Sequence, residues 1–292
     1  MIRVGVGGWT YEPWRGTFYP KDLKHADELK YASTKLTTIE INGTFYRTQS
    51  AASFRKWRDE TPDDFVFSVK GHRAIVNSRK LADAAESIQW FFKSGVLELG
   101  EKLGPCLWQL APFRKFDAED LGAFLALLPR KANGRPLRHV IEVRHESFLV
   151  ERFIELLREH DAAVVFADSD DYPPIADVAS DFVYLRLQRT QEKNELGYSK
   201  AELDRWAKHA REWEKGSTPK DLPHVSKKAA PKQSRSVFIY MISGAKVRCP
   251  ICGNLMRQNE ISVEIAFRHS RNPGEPKRER IVKHAKNCVK AA

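Results

Sequence analysis

The chain has 292 residues, 42% of them apolar and 30% charged, with a formal net charge of +11 at pH 7. That suits one large core of about 250 residues plus an appendage better than two equal domains, and the absence of any stretch of roughly 18 consecutive apolar residues excludes a transmembrane helix. Four cysteines are too few for a disulfide framework, and no apolar leader precedes the strand-like Met1-Ile2-Arg3-Val4, so a cytoplasmic location without membrane contact is expected.

Taken in chain order, eight short runs rich in Val, Ile, Phe and Leu stand at 2–7, 37–41, 65–69, 106–110, 139–143, 163–167, 182–187 and 236–241. Most of the segments between them run to roughly 20 to 50 residues and read as helices, the spacing that parallel strands need for their crossovers. Helical periodicity is clearest over 117–128, where Leu121, Phe124, Leu125 and Leu128 share a face behind Asp117, a capping residue type. Similar patterns occupy 50–58, 81–92, 147–159 and 199–213. The stretch 216–234, rich in Lys, Pro and Ser, is the longest loop-like segment, and a mobile loop is expected over 216–235. These elements suit an α/β protein, with a TIM-type (β/α)8 barrel expected over 1–248 and an atypical basic extension over 249–292.

Nearly every apolar run stops at a polar or charged residue: Glu40 and Asn42, Lys70, Gln109, Glu142 and Arg144, Asp168, and Arg186. In a closed ring those ends meet at one face, which is where barrel enzymes keep their chemistry. Side chains two apart on a strand point the same way, so Glu40 projects with Asn42, Glu142 with Arg144, and Tyr184 with Arg186 and Gln188. Glu40, Glu142 and Asp168 are the candidate catalytic groups. Two carboxylates can act as general acid and base when their surroundings split their pKa values, and Asp168 with either glutamate could hold a divalent cation. Lys70, Arg144 and Arg186 suit a phosphate or carboxylate, and Asn42 and Gln109 complete the ligand-binding set. Trp9 and Tyr46, from the aromatic-rich stretches after the first two runs, offer stacking surfaces for a base or a sugar. The ligand expected at such a rim is a small phosphorylated or sugar-containing molecule, and any catalysis would be that of a hydrolase or an isomerase or lyase. The competing reading is an ion-pair network that only closes the barrel top.

Gly8-Trp9-Thr10-Tyr11 with Phe18-Tyr19-Pro20, Glu40-Ile41-Asn42 with Thr44-Phe45-Tyr46, Leu103-Gly104-Pro105 with Leu107-Trp108-Gln109, Glu142-Val143-Arg144-His145, Asp168-Ser169 and Tyr184-Leu185-Arg186-Leu187 together resemble the domain-of-unknown-function 72 family, also called YecE-like. The resemblance runs from Ile2 to about Arg248 and implies a TIM-type barrel. It implies no activity, since the family has none assigned. Many relatives carry His and Gly after the seventh strand, where this chain has Gln188 and Arg189, and an Asn-Asp-rich turn after the eighth, where it has Ile242-Ser243-Gly244.

The larger departure follows Arg248, where relatives continue with a final amphipathic helix. Here Cys249-Pro250-Ile251-Cys252-Gly253 forms half of a zinc-knuckle pattern, and His284 and Cys288, four apart, could supply the other two ligands. A small zinc-binding module over 249–292 is one reading; unpaired cysteines in a divergent tail, or a reading-frame change, are the others. The charge sits in the same region: from Arg205 onward 20 basic residues face 7 acidic ones, while residues 1–204 hold 29 basic and 31 acidic. The alternative function is therefore nucleic-acid binding without catalysis, the basic tail contacting phosphates and the barrel mouth holding an end or an extruded nucleotide.

Overall fold

The computed structural model describes residues 1–191, 194, 197–242, 250, 253 and 254. Eight parallel strands, β1 (Ile2–Gly7), β2 (Thr38–Ile41), β3 (Val66–Lys70), β4 (Leu103–Gln109), β5 (His139–Glu142), β6 (Ala163–Asp168), β7 (Phe182–Leu187) and β8 (Ser236–Met241), coincide with the eight apolar runs to within a few residues. Each pairs with its neighbours in sequence, and β1 closes the ring on β8, with Ile2 opposite Val237 and Val6 opposite Met241. The runs are continuous rather than alternating because both faces of each strand are covered: every residue of β6 and β7 is buried.

Two apolar layers result. The outer one lies between strands and helices and includes Val4, Ile39, Phe67, Trp108, Ile141 and Phe166. The inner one fills the barrel with Leu107, Val140, Ala163, Val165, Phe182, Tyr184, Phe238 and Tyr240. A packed interior of this kind raises the chemistry to the rim.

Six helices of eight or more residues stand among the described residues; all but the first follow the sequence pattern, and the second, fourth and sixth begin at a side-chain cap. They are α1 (Glu28–Lys35), α2 (Ala51–Asp59), α3 (Ala85–Lys93), α4 (Ala118–Leu127), α5 (Glu151–Glu159) and α6 (Lys200–Glu214). Asp117 caps α4 by accepting from the backbone N–H groups of Glu119 and Asp120. Ser199 and Glu202 form a reciprocal capping box on α6. Two expected helices are shorter than their periodicity. The pattern from 81 begins as a single 3-10 turn, Leu81–Asp83, before α3, and that from 147 includes another, Glu146–Phe148, before α5.

One crossover departs from the expected spacing. Only 13 residues, 169–181, join β6 to β7, and they contain no helix. Pro173 and Pro174 lack the backbone donors a helix needs there. The missing outer layer is supplied by the 216–235 segment. Ala176 N–H donates to the Pro223 carbonyl, and the Asp177 carboxylate accepts from Val225 and Ser226 N–H at 2.6 and 3.0 Å. Arg158 and Glu151 of α5 reach the same segment through Ser226, Lys228 and Lys227. The stretch expected to be a mobile loop thus has no regular structure but is fastened along one side. No helix among the described residues is long and apolar enough to cross a membrane.

Candidate functional site

Strand alternation puts Thr38 and Glu40 of β2, Ser68 and Lys70 of β3, Gln109 of β4, Glu142 of β5, Tyr184 and Arg186 of β7, and Tyr240 of β8 on the inner face. Two tiers form above the apolar filling. The lower is built of hydroxyls: Thr38 and Tyr240 are 2.8 Å apart, and Ser68 and Tyr184 2.9 Å apart. The upper is charged. Gly7 belongs to this rim, where a Cβ would come within 2.8 Å of Asn42 Nδ2 and 2.6 Å of Ile242 Cδ1, so only glycine leaves those side chains their places.

Arg186 is the centre of the upper tier. Its Nη2 and Nε donate to the two oxygens of Glu40 at 3.0 and 3.2 Å, and its Nη1 donates to Glu142 Oε2 at 2.7 Å. The Tyr184 hydroxyl donates to Glu40 Oε2 at 2.6 Å. Gln109 Nε2 donates to Glu142 Oε2 at 2.6 Å, while Arg144 donates through Nε and Nη2 to Glu142 Oε1 at 3.3 and 3.2 Å. Lys70 Nζ donates to Gln109 Oε1 at 2.7 Å and stands 4.1 Å from the centre of the Phe45 ring. Arg144 is covered in the same way by Tyr172, at 4.2 Å. Glu40 and Glu142 are wholly buried, and the Arg144 side chain keeps 19% of its surface exposed.

The electrostatics follow from burial and these partners. Burial disfavours the ionised form of Glu142, but Arg186, Arg144, the Gln109 bond and Lys70 outweigh it and hold the carboxyl below its ordinary range. Burial, then Arg186, push Lys70 down to about 8, with Glu40 and Glu142 offsetting part of the effect. Burial and the adjacent Glu40 drive the Tyr184 phenol well above its usual value. Arg186 stays charged because Glu142 and Glu40 overcome its desolvation.

The structure therefore gathers Glu40, Lys70, Gln109, Glu142, Arg144 and Arg186 into one cluster. Asn42 sits at its edge, its Nδ2 3.4 Å from the Glu40 carbonyl. Asp168 stands apart, because on β6 the inward positions are Ala163 and Val165. Its partners are the Tyr198 hydroxyl, which donates to it at 2.8 Å, and Arg189, at 3.5 Å, and burial raises its carboxyl pKa despite both. Asp168 thus faces away from the two glutamates, and the Arg186 guanidinium lies between Glu40 and Glu142. Among the described residues no three His, Cys, Asp or Glu side chains are placed to hold a metal ion.

Trp9 is half-buried, packed edge-on against Trp57 at 5.0 Å and Phe67 at 6.4 Å, which makes it part of the packing around the first loop. Tyr46 is 66% exposed and leans on Phe45. His72 and His145 serve as caps, accepting from the backbone N–H of Ala74 and Ser147. Cys249, Cys252, His284 and Cys288 lie outside the described residues. The hydroxyl tier and the two rings above the cations are not among the residues the sequence singles out. Strand parity signals the former; the latter come from loops whose course no periodicity fixes.

A closed ring of eight parallel strands with a charged cluster at their carboxyl ends defines a TIM-type (β/α)8 barrel protein. Within that class the chain belongs to the family described as "Protein of unknown function DUF72", which it matches over residues 3–244. It is 25% identical over 160 residues to "UPF0759 protein YunF" of Bacillus subtilis (strain 168), a match covering 53% of this chain and 55% of that protein, so about half of each. Its fold is similar to that of a DUF72 family protein from Thermotoga maritima MSB8, with a TM-score of 0.68 and 22% identity over 89% of this chain and 99% of the other. A DUF72 family protein from Enterococcus faecalis V583 gives 0.64 and 16%, covering 90% and 96%.

Proposed function

We propose that the barrel mouth binds a small anion-bearing molecule, a phosphorylated or sugar-acid compound, and that Lys70 and Arg144 are its direct contacts. The observation that carries this is the charge count of the upper tier. Among the described residues three cationic side chains, Lys70, Arg144 and Arg186, face two carboxylates, Glu40 and Glu142. One positive charge is left over in a buried cluster, an arrangement costly without a counter-charge. Arg186 is engaged by both glutamates, and the Lys70 ammonium has only the neutral Gln109 amide as its hydrogen-bond partner among the described residues. Arg144, linked to Lys70 through Glu142 and Gln109, presents a partly exposed guanidinium, a fork suited to paired oxygens.

In this reading the two carboxylates divide their tasks. Glu40, with both oxygens accepting from Arg186 and one from Tyr184, anchors Arg186. Glu142, held ionised and tied to the rim through Arg144 and Gln109, is the group that can take a proton from a bound molecule. Any acid–base chemistry then runs through Glu142 and Lys70 rather than through the two glutamates as a pair.

The test is calorimetric titration with inorganic phosphate, glucose 6-phosphate and glucose. The two phosphates should bind, glucose far more weakly, and Arg144→Met should weaken phosphate by about 1.5–3 kcal/mol, roughly 10- to 150-fold. Equal affinity for glucose and its phosphate, or an indifferent Arg144→Met variant, would remove the proposal.

A further inference from the structure

Resting on that anion site, we propose that Lys70 is an imine-forming amine, and that the ligand's reactive group is an aldehyde or ketone carbonyl close to its anionic group, as in a 2-oxo acid or a phosphorylated aldehyde.

Three features of the geometry lead there. The Lys70 amine is fixed in place, with Nζ between Gln109 Oε1 at 2.7 Å and the Phe45 ring face at 4.1 Å, on a residue only 7% exposed. Unlike Arg144 and Arg186 it holds no carboxylate among the described residues, so it can give up its charge without stranding a buried anion. A desolvated lysine beside other cations is the environment that turns an ammonium into a nucleophile. Finally, Arg144 stands in the same cluster to hold the anionic group while the carbonyl carbon faces the amine.

The step closes without an added reagent. The ammonium gives up its proton to solvent at the mouth, and the freed lone pair attacks the carbonyl carbon, forming a C–N bond as the C=O π bond opens onto oxygen. That oxygen takes back the proton, a second proton leaves nitrogen for it, and water departs as C=N forms. Ammonium and carbonyl thus become iminium and water, with no net change in protons. The charges facing Lys70 are Arg186 of β7, Glu40 of β2, and Glu142 and Arg144 of the β5 end. Burial and the two guanidinium groups lower its pKa to about 8, which leaves about one amine in ten neutral at pH 7, against about one in a few thousand for a free lysine.

The experiment uses the full chain with sodium cyanoborohydride and either glyoxylate, an anionic aldehyde, or propanal, a neutral one, with adducts mapped by peptide mass spectrometry. The expected result is that Lys70 carries the reduced adduct at a rate at least ~10-fold above any other lysine, that glyoxylate outpaces propanal, and that inorganic phosphate protects. Lys70→Arg, checked for native circular dichroism, should lose the adduct while other lysines label as before. Labelling confined to exposed lysines overturns the inference. If phosphate still binds in that case, the anion site survives and only the imine falls. If Lys70 labels equally fast with both aldehydes and phosphate gives no protection, the amine stands and the anion site falls.

Discussion

Arg186 reaches both buried carboxylates, so its removal should cost far more than that of Arg144, which shares only Glu142 and is partly solvated. Arg186→Met leaves Glu40 short of two donors and Glu142 short of one, and should destabilise the fold by about 3–5 kcal/mol. Arg144→Met should cost about 1 kcal/mol. Urea unfolding of the two variants beside the parent measures both, and equal losses would contradict the central place given to Arg186. Lys70 makes a prediction of opposite sign. Its folded pKa, about 8, lies below the 10.5 of a free lysine, so between those values the unfolded chain binds more protons and stability rises with pH. Relative to Lys70→Met, the parent should gain about 2–4 kcal/mol between pH 7.5 and 10.5, read as the difference between the two urea curves at each pH. Anion binding should run the other way, weakening as pH passes 8 and the charge is lost. At this scale the sequence was informative wherever strand parity applied: Glu40, Lys70, Gln109, Glu142 and Arg186 end inward-facing rows. Asp168 falls out of phase with the inward Ala163 and Val165, and a polar residue ending a strand does not by itself reveal which face it takes.

Between elements, the informative departure is the short crossover from β6 to β7. Every strand could be read from its apolar run, α4 from its periodicity and cap, and α6 from its periodicity. No local signal showed that 216–235 would lie over 169–181, since the contact joins segments some 50 residues apart. The Asp177 carboxylate, accepting from two successive N–H groups, is the clasp. Hydrogen exchange should find the Val225 and Ser226 amides protected in the parent, and Asp177→Ala should release both while leaving strand amides unchanged. Unprotected amides in the parent would mean that the segment opens freely despite these bonds. Since residue 172 of the same crossover covers Arg144, loosening the clasp should also weaken anion binding, though less than loss of Arg144 itself.

Over the whole molecule, charge is partitioned. The excess of basic residues lies from Arg205 onward, while residues 1–204 are close to neutral, so the surplus charge of the barrel mouth is a local arrangement of side chains and not an expression of the overall +11. The two regions can be separated experimentally. A zinc module built on Cys249, Cys252, His284 and Cys288 predicts a single zinc ion per chain by elemental analysis, lost on Cys249→Ser. A nucleic-acid role for the tail predicts that cutting the chain after Ser243 weakens binding and flattens its salt dependence. Neither change should alter phosphate binding at the mouth. The most direct test of the mouth itself is a crystal structure of the protein soaked with tungstate, a phosphate analogue whose heavy atom is located by anomalous scattering. The account predicts a tungstate within hydrogen-bonding distance of Lys70 Nζ and the Arg144 guanidinium, with Arg186 still bridging Glu40 and Glu142. Tungstate found only at surface lysines, with the mouth unoccupied, would contradict it.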